Sequence, residues 1–322
     1  MTEGTILIAG PTASGKSQLA LALARHLDEF GGARIINADS MQVYSELQII
    51  TARPSREAEA CVPHRLYGTL SVRDACSVGR WRDLVLAEIT AAHHDGAIPV
   101  LVGGTGLYFR ALLKGIAPVP EIPANVRSEA RQRASEEQGT AGLLAELAAA
   151  DPETAVGLSP GDTQRIVRAW EVLEATGTPL RVWQEHKVGP KLETPAAKVL
   201  LEPERTALNA AINSRVVGMV AAGVLEEVAA LDAMELDSSL PALRAVGVQE
   251  FRAVLRGRTA LAEAVPRAQQ ATRRYAKRQR TWFRTQAADW ARFPWATPAQ
   301  HMESFEREVF PFIREFLLTG PT

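Results

Sequence analysis

Over the first hundred positions, short apolar runs alternate with stretches whose apolar residues recur every three or four positions. That alternation predicts strands separated by crossover helices, and so a parallel sheet. Strands are expected at 5–9, 34–37 and 98–102, and helices at 17–26 and 80–93. The run Pro99-Val100-Leu101-Val102 is apolar at every position, as suits a strand covered on both faces. The pattern changes after Lys114. Residues 117–123 form a proline-rich joint, and helical periodicity follows from about 125 to 177, with Asp162 as N-cap and Gly177 as C-terminal stop of its last helix. A polar joint at about 184–195 closes the segment. Residues 121–195 are therefore expected to form a helical insertion, and 1–120 with 196–322 the core. Beyond it come an expected strand at 198–201, helices at 205–231 and 240–256, a long helix at 259–286 that Pro266 should bend or restart, and a final helix at 299–318.

Composition adds boundaries to this picture. The chain has 322 residues, 46% of them hydrophobic and 23% charged, which excludes a disordered chain. Cys61 and Cys76 are too few for a disulfide framework or a cysteine-based zinc site and read as buried free thiols. No signal peptide is visible, and no run reaches the roughly 18 to 20 apolar residues of a membrane span, so no membrane and a reducing cytoplasm are expected. The net charge of -1 argues, on average, against a polyanionic partner. Locally the balance differs. Between Arg244 and Arg284 stand eleven Lys and Arg against Glu250 and Glu263, about +9, which leaves the rest of the chain near -10. In the densest stretch, residues 273–284, bases alternate with Tyr275, Trp282 and Phe283. The aromatics read as core and the charges as a surface for a polyanion.

Gly10-Pro11-Thr12-Ala13-Ser14-Gly15-Lys16-Ser17 fits the phosphate-binding loop G-x-x-x-x-G-K-[ST], between an expected strand and an expected helix. Its backbone N–H groups and the helix N-terminus attract an anion, Lys16 reaches the terminal phosphate, and Ser17 is the candidate magnesium ligand. The expected fold class is thus α/β, a P-loop-containing parallel-sheet core with a helical insertion domain. Nucleotide-hydrolysing relatives of this loop carry a second strand ending in Asp. Here the third strand ends in Val102-Gly103-Gly104, and the acidic residue, Asp39, follows the second strand instead. Asp39 is a candidate magnesium ligand or general base, with a helix cap as the plain alternative.

These segments resemble the bacterial tRNA dimethylallyltransferases, or tRNA isopentenyltransferases, over nearly the whole chain. The P-loop is followed in order by Asn37-Ala38-Asp39-Ser40-Met41-Gln42-Val43-Tyr44, Thr51-Ala52-Arg53-Pro54, Pro63-His64-Arg65-Leu66, Val102-Gly103-Gly104-Thr105-Gly106-Leu107-Tyr108, Asp162-Thr163-Gln164-Arg165-Ile166-Val167-Arg168-Ala169 and Tyr275-Ala276-Lys277-Arg278-Gln279-Arg280-Thr281-Trp282-Phe283-Arg284. The resemblance implies transfer of a dimethylallyl group from dimethylallyl diphosphate to N6 of the adenosine 3′ of the tRNA anticodon. Asp39 matches the family's catalytic Asp and would take the amine proton. Thr105 matches a threonine near the acceptor, and Arg215, with Lys16, the loop amides and magnesium at Ser17, would stabilise the leaving diphosphate. Asp39, Ser40, Met41, Gln42, Thr105, Arg127, the segment Gln164, Arg165, Ile166, Val167 and Arg168, and the segment Arg244, Ala245, Val246, Gly247, Val248 and Gln249 match tRNA-contacting positions. The insertion would contact the anticodon stem-loop, whose acceptor base must leave its stack. A monomer is expected. Two positions depart from the family pattern: Ile50 replaces a common glycine, and Val248 a common aromatic. From the residues alone, a P-loop kinase of a small molecule or nucleotide, and a nucleotide-gated RNA-binding protein, remain open.

Overall fold

The computed structural model describes residues 4–136, 139–185, 189–238 and 240–320, so residues 186–188 of the expected second joint lie outside it. The chain divides into two compact units, residues 1–113 with 192–322, and residues 114–191.

Among the described residues the larger unit is built on six strands, β1 (Thr5–Ala9), β2 (Ala33–Asn37), β3 (His64–Arg65), β4 (Ile98–Gly103), β5 (Ala196–Pro203) and β6 (Ala291–Trp295). They lie in the order β3-β2-β4-β1-β5-β6, and every pair is parallel. Central β1 pairs Leu7 with Leu101 on one side and with Lys198 on the other. Because side chains alternate along a strand, Ile6 and Ile8 face one core while Leu7 and Ala9 face the other. Both faces are apolar and both need helices to cover them. One layer holds α1 (Lys16–His26) and the C-terminal helices. The other holds α3 (Val78–His94), which follows the short α2 (Arg56–Cys61), and α4 (Gly106–Lys114).

The smaller unit packs α5 (Ala124–Ser135), α6 (Gly139–Ala150), α7 (Pro152–Val156), α8 (Thr163–Thr176) and α9 (Leu180–Glu185) around Ala130, Leu143, Leu147, Ile166, Ala169 and Trp170. Gly177 ends α8 in the left-handed conformation expected of it, but Asp162 makes no side-chain cap and its carboxylate lies 3.4 Å from Arg165 Nε instead.

Several expectations are corrected in the C-terminal half. The helix expected at 205–231 is two, α10 (Arg205–Ala221) and α11 (Val224–Asp232), bent by 69° where Gly223 adopts φ 93°. The helix expected at 240–256 is a 3₁₀ turn at Pro241–Arg244 followed by α12 (Val248–Leu255), with Ala245, Val246 and Gly247 between them outside any helix. Pro266 does not restart α13 (Leu261–Gln286), which runs through it. A proline lacks one N–H, so near the helix start it removes a single ladder bond. The expected final helix is α14 (Pro298–Ser304), a π-helical stretch Phe305–Val309 and α15 (Phe310–Thr319). Cys61, expected to be buried, is exposed because α2 buries none of its residues. Among the described residues no single helix is long and apolar enough to cross a membrane.

Candidate active site

Parallel strands end at one edge of the sheet, and there the loops after β1, β2 and β4 meet, where open α/β sheets place their ligands. The loop after β1 is the glycine-rich one. Gly15 caps α1 with φ 85°, and a Cβ there would stand 2.6 Å from His301 Nε2, so glycine is required both by conformation and by the packing of α14 on the loop. Ala13 is left-handed without being glycine, at φ 62°, a strained residue of the kind that concentrates at functional sites.

The loop after β2 carries Asp39. Asn37 is fully buried and holds this loop through its side chain: Oδ1 accepts from Asp39 N at 2.8 Å, and Nδ2 donates to Asp39 O and to Leu66 O. Trp81, stacked on Tyr108 at 4.0 Å, donates its indole N–H to Asn37 O and fixes the strand end. Asp39 Oδ1 accepts from Met41 N at 2.9 Å, and the second carboxylate oxygen has no hydrogen-bond partner among the described residues. Thr105, at the start of α4, accepts from Ser40 N at 3.0 Å and lies within hydrogen-bonding reach of Tyr275 on α13. Its hydroxyl therefore ties the loop after β2 to the start of α4. Trp282 of α13 lies over Gly106 so closely that a Cβ there would stand 2.2 Å from the ring.

Two cations stand against this one carboxylate. Lys16 Nζ donates to Pro11 O at 2.7 Å, and burial pushes its pKa down to about 7, with Asp39 opposing the shift and Arg215 adding to it. Arg215, on α10, donates to Thr12 Oγ1 at 3.0 Å and to Thr51 O at 2.8 Å, while its Nε is buried without a partner. Burial lowers the Arg215 pKa as well, against the pull of Asp39. Desolvated cations that outnumber their counter-charges call for an anion.

A cleft of about 870 Å³ over the loop is lined by Thr12, Ser14, Lys16, Ser17, Asp39, Thr51, Arg215 and His301, among others. It shares Thr12, Asp39, Thr51 and Arg215 with a cavity of about 190 Å³ whose further walls include Ile50, Val216, Met219 and Phe251. A cleft that carries the P-loop and its cations thus adjoins an apolar one across Asp39. Ser17 is exposed in the larger cleft, where Asp39 is the single carboxylate, and among the described residues no group of three His, Cys, Asp or Glu could hold a metal ion. That donor set fits magnesium carried on a bound diphosphate, since this small hard cation keeps much of its oxygen shell from phosphate and water.

The structure gathers most of the residues expected from the sequence. Thr12 to Ser17 of the P-loop, Asp39, Ser40, Met41, Arg215, Arg244, Ala245, Val246 and Gly247 line these two spaces, while Gly10 and Pro11 are buried beneath the loop. Gln42 lines the cleft and donates to Thr51 O and Ala52 O. Val248 is fully buried in the core, whereas Gln249 is exposed and donates its Nε2 to Leu243 O. Ile166 is likewise fully buried, on the apolar stripe of α8, whereas Gln164 and Arg165 beside it are exposed and Arg168 pairs with Glu171 at 3.5 Å. Arg127 is half-buried on α5. Of the aromatics expected in the core, Phe283 is there, but Tyr275 lines the small cavity, and its hydroxyl pKa is raised by burial.

Sequence reasoning missed two positioning groups. Gln279 is buried on α13; its Oε1 accepts from Thr12 N at 2.8 Å and its Nε2 donates to Gly104 O at 2.9 Å, joining the P-loop to the loop after β4. The signal was a lone amide in the stripe Ala264, Ala268, Ala276, Phe283. Glu227, on α11, accepts from the backbone N–H groups of Gln48, Ile49 and Ile50, and no local motif announces it.

Comparison with known proteins agrees with this geometry. A family model described as IPP transferase matches residues 42–286, and one described as isopentenyl transferase matches residues 4–77. The tRNA dimethylallyltransferase of Rhodospirillum centenum is 52% identical over 295 residues, covering 91% of this chain and 92% of that one. The chain belongs to the tRNA dimethylallyltransferase family. The relative from Rhodospirillum rubrum is 50% identical over 316 residues, 98% of this chain and 95% of that one. The crystal structure of the tRNA isopentenylpyrophosphate transferase from Bacillus halodurans has a TM-score of 0.67 at 30% identity, covering 98% of this chain and 99% of that one. Membership makes the chain a transferase with the α/β fold described above, rather than a kinase or a binding protein without chemistry.

Proposed function

We propose that this enzyme transfers a dimethylallyl group from dimethylallyl diphosphate to N6 of the adenosine 3′ of the tRNA anticodon. The observation that carries the reading is the pair of desolvated cations, Lys16 and Arg215, over a phosphate-binding loop that adjoins an apolar cavity across Asp39. A diphosphate answers the cations and a short hydrocarbon tail answers the cavity. The exocyclic amine is a weak nucleophile because its lone pair is delocalised into the ring. As N6 bonds to the allylic C1, the C1–O bond breaks, its electron pair leaves with the diphosphate, and the N6 proton passes to the carboxylate of Asp39. Arg215 and Lys16 meet the charge gathering on the leaving oxygens, and Thr105 and Gln279 hold the loops in register. Magnesium, held at Ser17 and on the diphosphate, would neutralise further charge. The test is direct. Protein, magnesium, dimethylallyl diphosphate and an adenosine-bearing anticodon stem-loop should release pyrophosphate and add one five-carbon group to the RNA, and a failure to release pyrophosphate in an RNA-dependent way rejects the reading.

The low Lys16 pKa carries a signed consequence. At pH 8 a lysine titrating near 7 is mostly neutral, and a diphosphate favours its charged form, so Lys16 gains most of a proton on binding, taken from solvent or from the pyrophosphate, which still carries one at this pH. Titration calorimetry of inorganic pyrophosphate in buffers of different ionisation enthalpy should register a net proton uptake greater by nearly one proton in the wild type than in Lys16→Met. An uptake equal in both proteins would assign the proton elsewhere.

The basic face of α13 supports an RNA partner. Arg205, Arg273, Arg274, Lys277, Arg280 and Arg284 line a groove of about 550 Å³ with Glu202 as its single acidic wall residue. Arg273 is already bonded to Asn213 Oδ1 at 2.6 Å, whereas Arg274, Lys277 and Arg278 are exposed. Alanine at any of these three should lower the slope of log affinity against log salt by about one, and Arg273→Ala by less. Filter binding across a salt series reads the slope.

A further inference from the structure

We propose that Glu227 is a positioning residue for the diphosphate: by holding the loop between β2 and α2, it sets where Arg215 presents its guanidinium. The inference rests on the prenyl-transfer reading above and names what aims one of its two cations. Arg215 lies on α10 and Glu227 on α11, with the 69° bend at Gly223 between them. Both residues grip one stretch of chain. The carboxylate of Glu227 accepts from Gln48 N at 2.9 Å, Ile49 N at 2.7 Å and Ile50 N at 2.9 Å. One residue on, Thr51 O accepts from Arg215 Nη2 at 2.8 Å, and Arg215 Nη1 donates to Thr12 Oγ1 of the P-loop at 3.0 Å. A line of hydrogen bonds thus runs from α11 through residues 48–51 to Arg215 and the phosphate-binding loop.

Arg215 needs such a mooring. Its stem is long and rotatable and its Nε is buried without a partner, so the two Nη bonds orient the guanidinium, and one of them follows the Thr51 carbonyl wherever the loop carries it. The loop does not rest in a relaxed shape. Ala52 sits at φ 48°, a strained conformation for alanine that persists only where the surroundings impose it. Several of the loop's other ties come from within residues 42–52: Thr51 Oγ1 donates to Leu47 O, Ala52 N to Ile49 O, and Gln42 Nε2 to Thr51 O and Ala52 O. Those bonds keep its internal shape. Glu227 instead fixes three successive peptides to the helix pair that carries Arg215, through charge-assisted bonds that resist displacement more than neutral ones do.

The experiment is a double-mutant cycle between Glu227→Ala and Arg215→Met, read by the affinity for inorganic pyrophosphate, by kcat and KM for dimethylallyl diphosphate, and by RNA affinity. In the wild-type background Glu227→Ala should weaken pyrophosphate binding and lower donor kcat/KM by about 10- to 100-fold, the scale of a misplacement of about 1 Å. In the Arg215→Met background the same change should cost less than about twofold, because no guanidinium is left to misplace. RNA affinity should stay within a few fold. Glu227→Gln keeps the volume, but whichever way its amide turns it sets an N–H against at least one of the three donors, so its loss should fall between; it also keeps the cycle readable if the alanine variant folds poorly. A residue that only props the fold would multiply its loss onto that of Arg215→Met, so losses that multiply overturn the proposal. Pyrophosphate affinity and donor kcat/KM within about twofold of wild type in both Glu227 variants overturn it too, as does a fall in RNA affinity as large as the fall for pyrophosphate. A wild type that binds pyrophosphate but transfers no prenyl group rejects the prenyl-transfer reading alone, and the pyrophosphate arm of the cycle still decides Glu227.

Discussion

Asp39→Asn should lower kcat for prenyl transfer by about 100- to 10,000-fold while leaving RNA affinity within a few fold, the range expected when a positioned proton acceptor is lost. Asparagine is the sharper probe because the carboxylate has two separable jobs. Oδ1 accepts from Met41 N and shapes the turn after β2, whereas the other oxygen is the one available to a substrate proton. An amide oxygen can keep the first bond and cannot take the proton. Asp39→Ala loses both, so it should show the same rate loss with an added stability cost of about 1 kcal/mol from the lost hydrogen bond. Single-turnover rates with saturating RNA, measured beside equilibrium RNA binding, separate the two roles. A loss of RNA binding as large as the loss of rate would mean that Asp39 recognises RNA rather than serving as the base, and an asparagine variant near wild type would place the base elsewhere.

How much of this site could be read in the sequence depends on how far apart its parts lie along the chain. The P-loop is eight consecutive residues between a strand and a helix, and its chemistry is local, so pattern alone placed Lys16 and Ser17. Asp39 was legible for the same reason, since it follows an apolar strand directly. Gln279 was not. Its bond to Thr12 spans 267 residues, and nothing near either position signals the other. Glu227 reaches Gln48 across 179 residues and looked like any acidic position on a helix. Among the elements, β6 was hidden by Pro294, which pattern reading treats as a strand breaker and which an edge strand tolerates. The continuous apolar periodicity of 205–231 concealed a bend, because Gly223 interrupts the helix without interrupting the sequence pattern. Ile166 and Val248 show the converse: a segment can match a contact motif while some of its residues serve the core.

Arg215→Met should separate stability from function more sharply than any other single change. Without a ligand, Arg215 is a cost to the fold: it is desolvated, its Nε lacks a partner, and it lowers the pKa of neighbouring Lys16. Of its two hydrogen bonds, the one to Thr51 O is duplicated by Gln42 Nε2 at 2.9 Å, so removing the guanidinium leaves that carbonyl satisfied. Methionine fills much of the volume and carries no charge. The ligand-free variant is therefore expected to melt no lower than wild type, and the Lys16 pKa should rise once its repulsive neighbour is gone. Function should move the other way, with kcat/KM for the donor falling about 100- to 1,000-fold, the usual loss when one donor to a developing oxyanion is removed. The stabilisation that pyrophosphate gives the wild type should also shrink to a small fraction. Arg215→Lys should recover only part of the activity, because an ammonium cannot hold Thr12 and Thr51 together in the fixed fork of a guanidinium. Thermal melts with and without pyrophosphate, beside donor kinetics, test each step. A methionine variant that keeps its pyrophosphate-dependent stabilisation would show that the charge at Arg215 serves something other than the diphosphate.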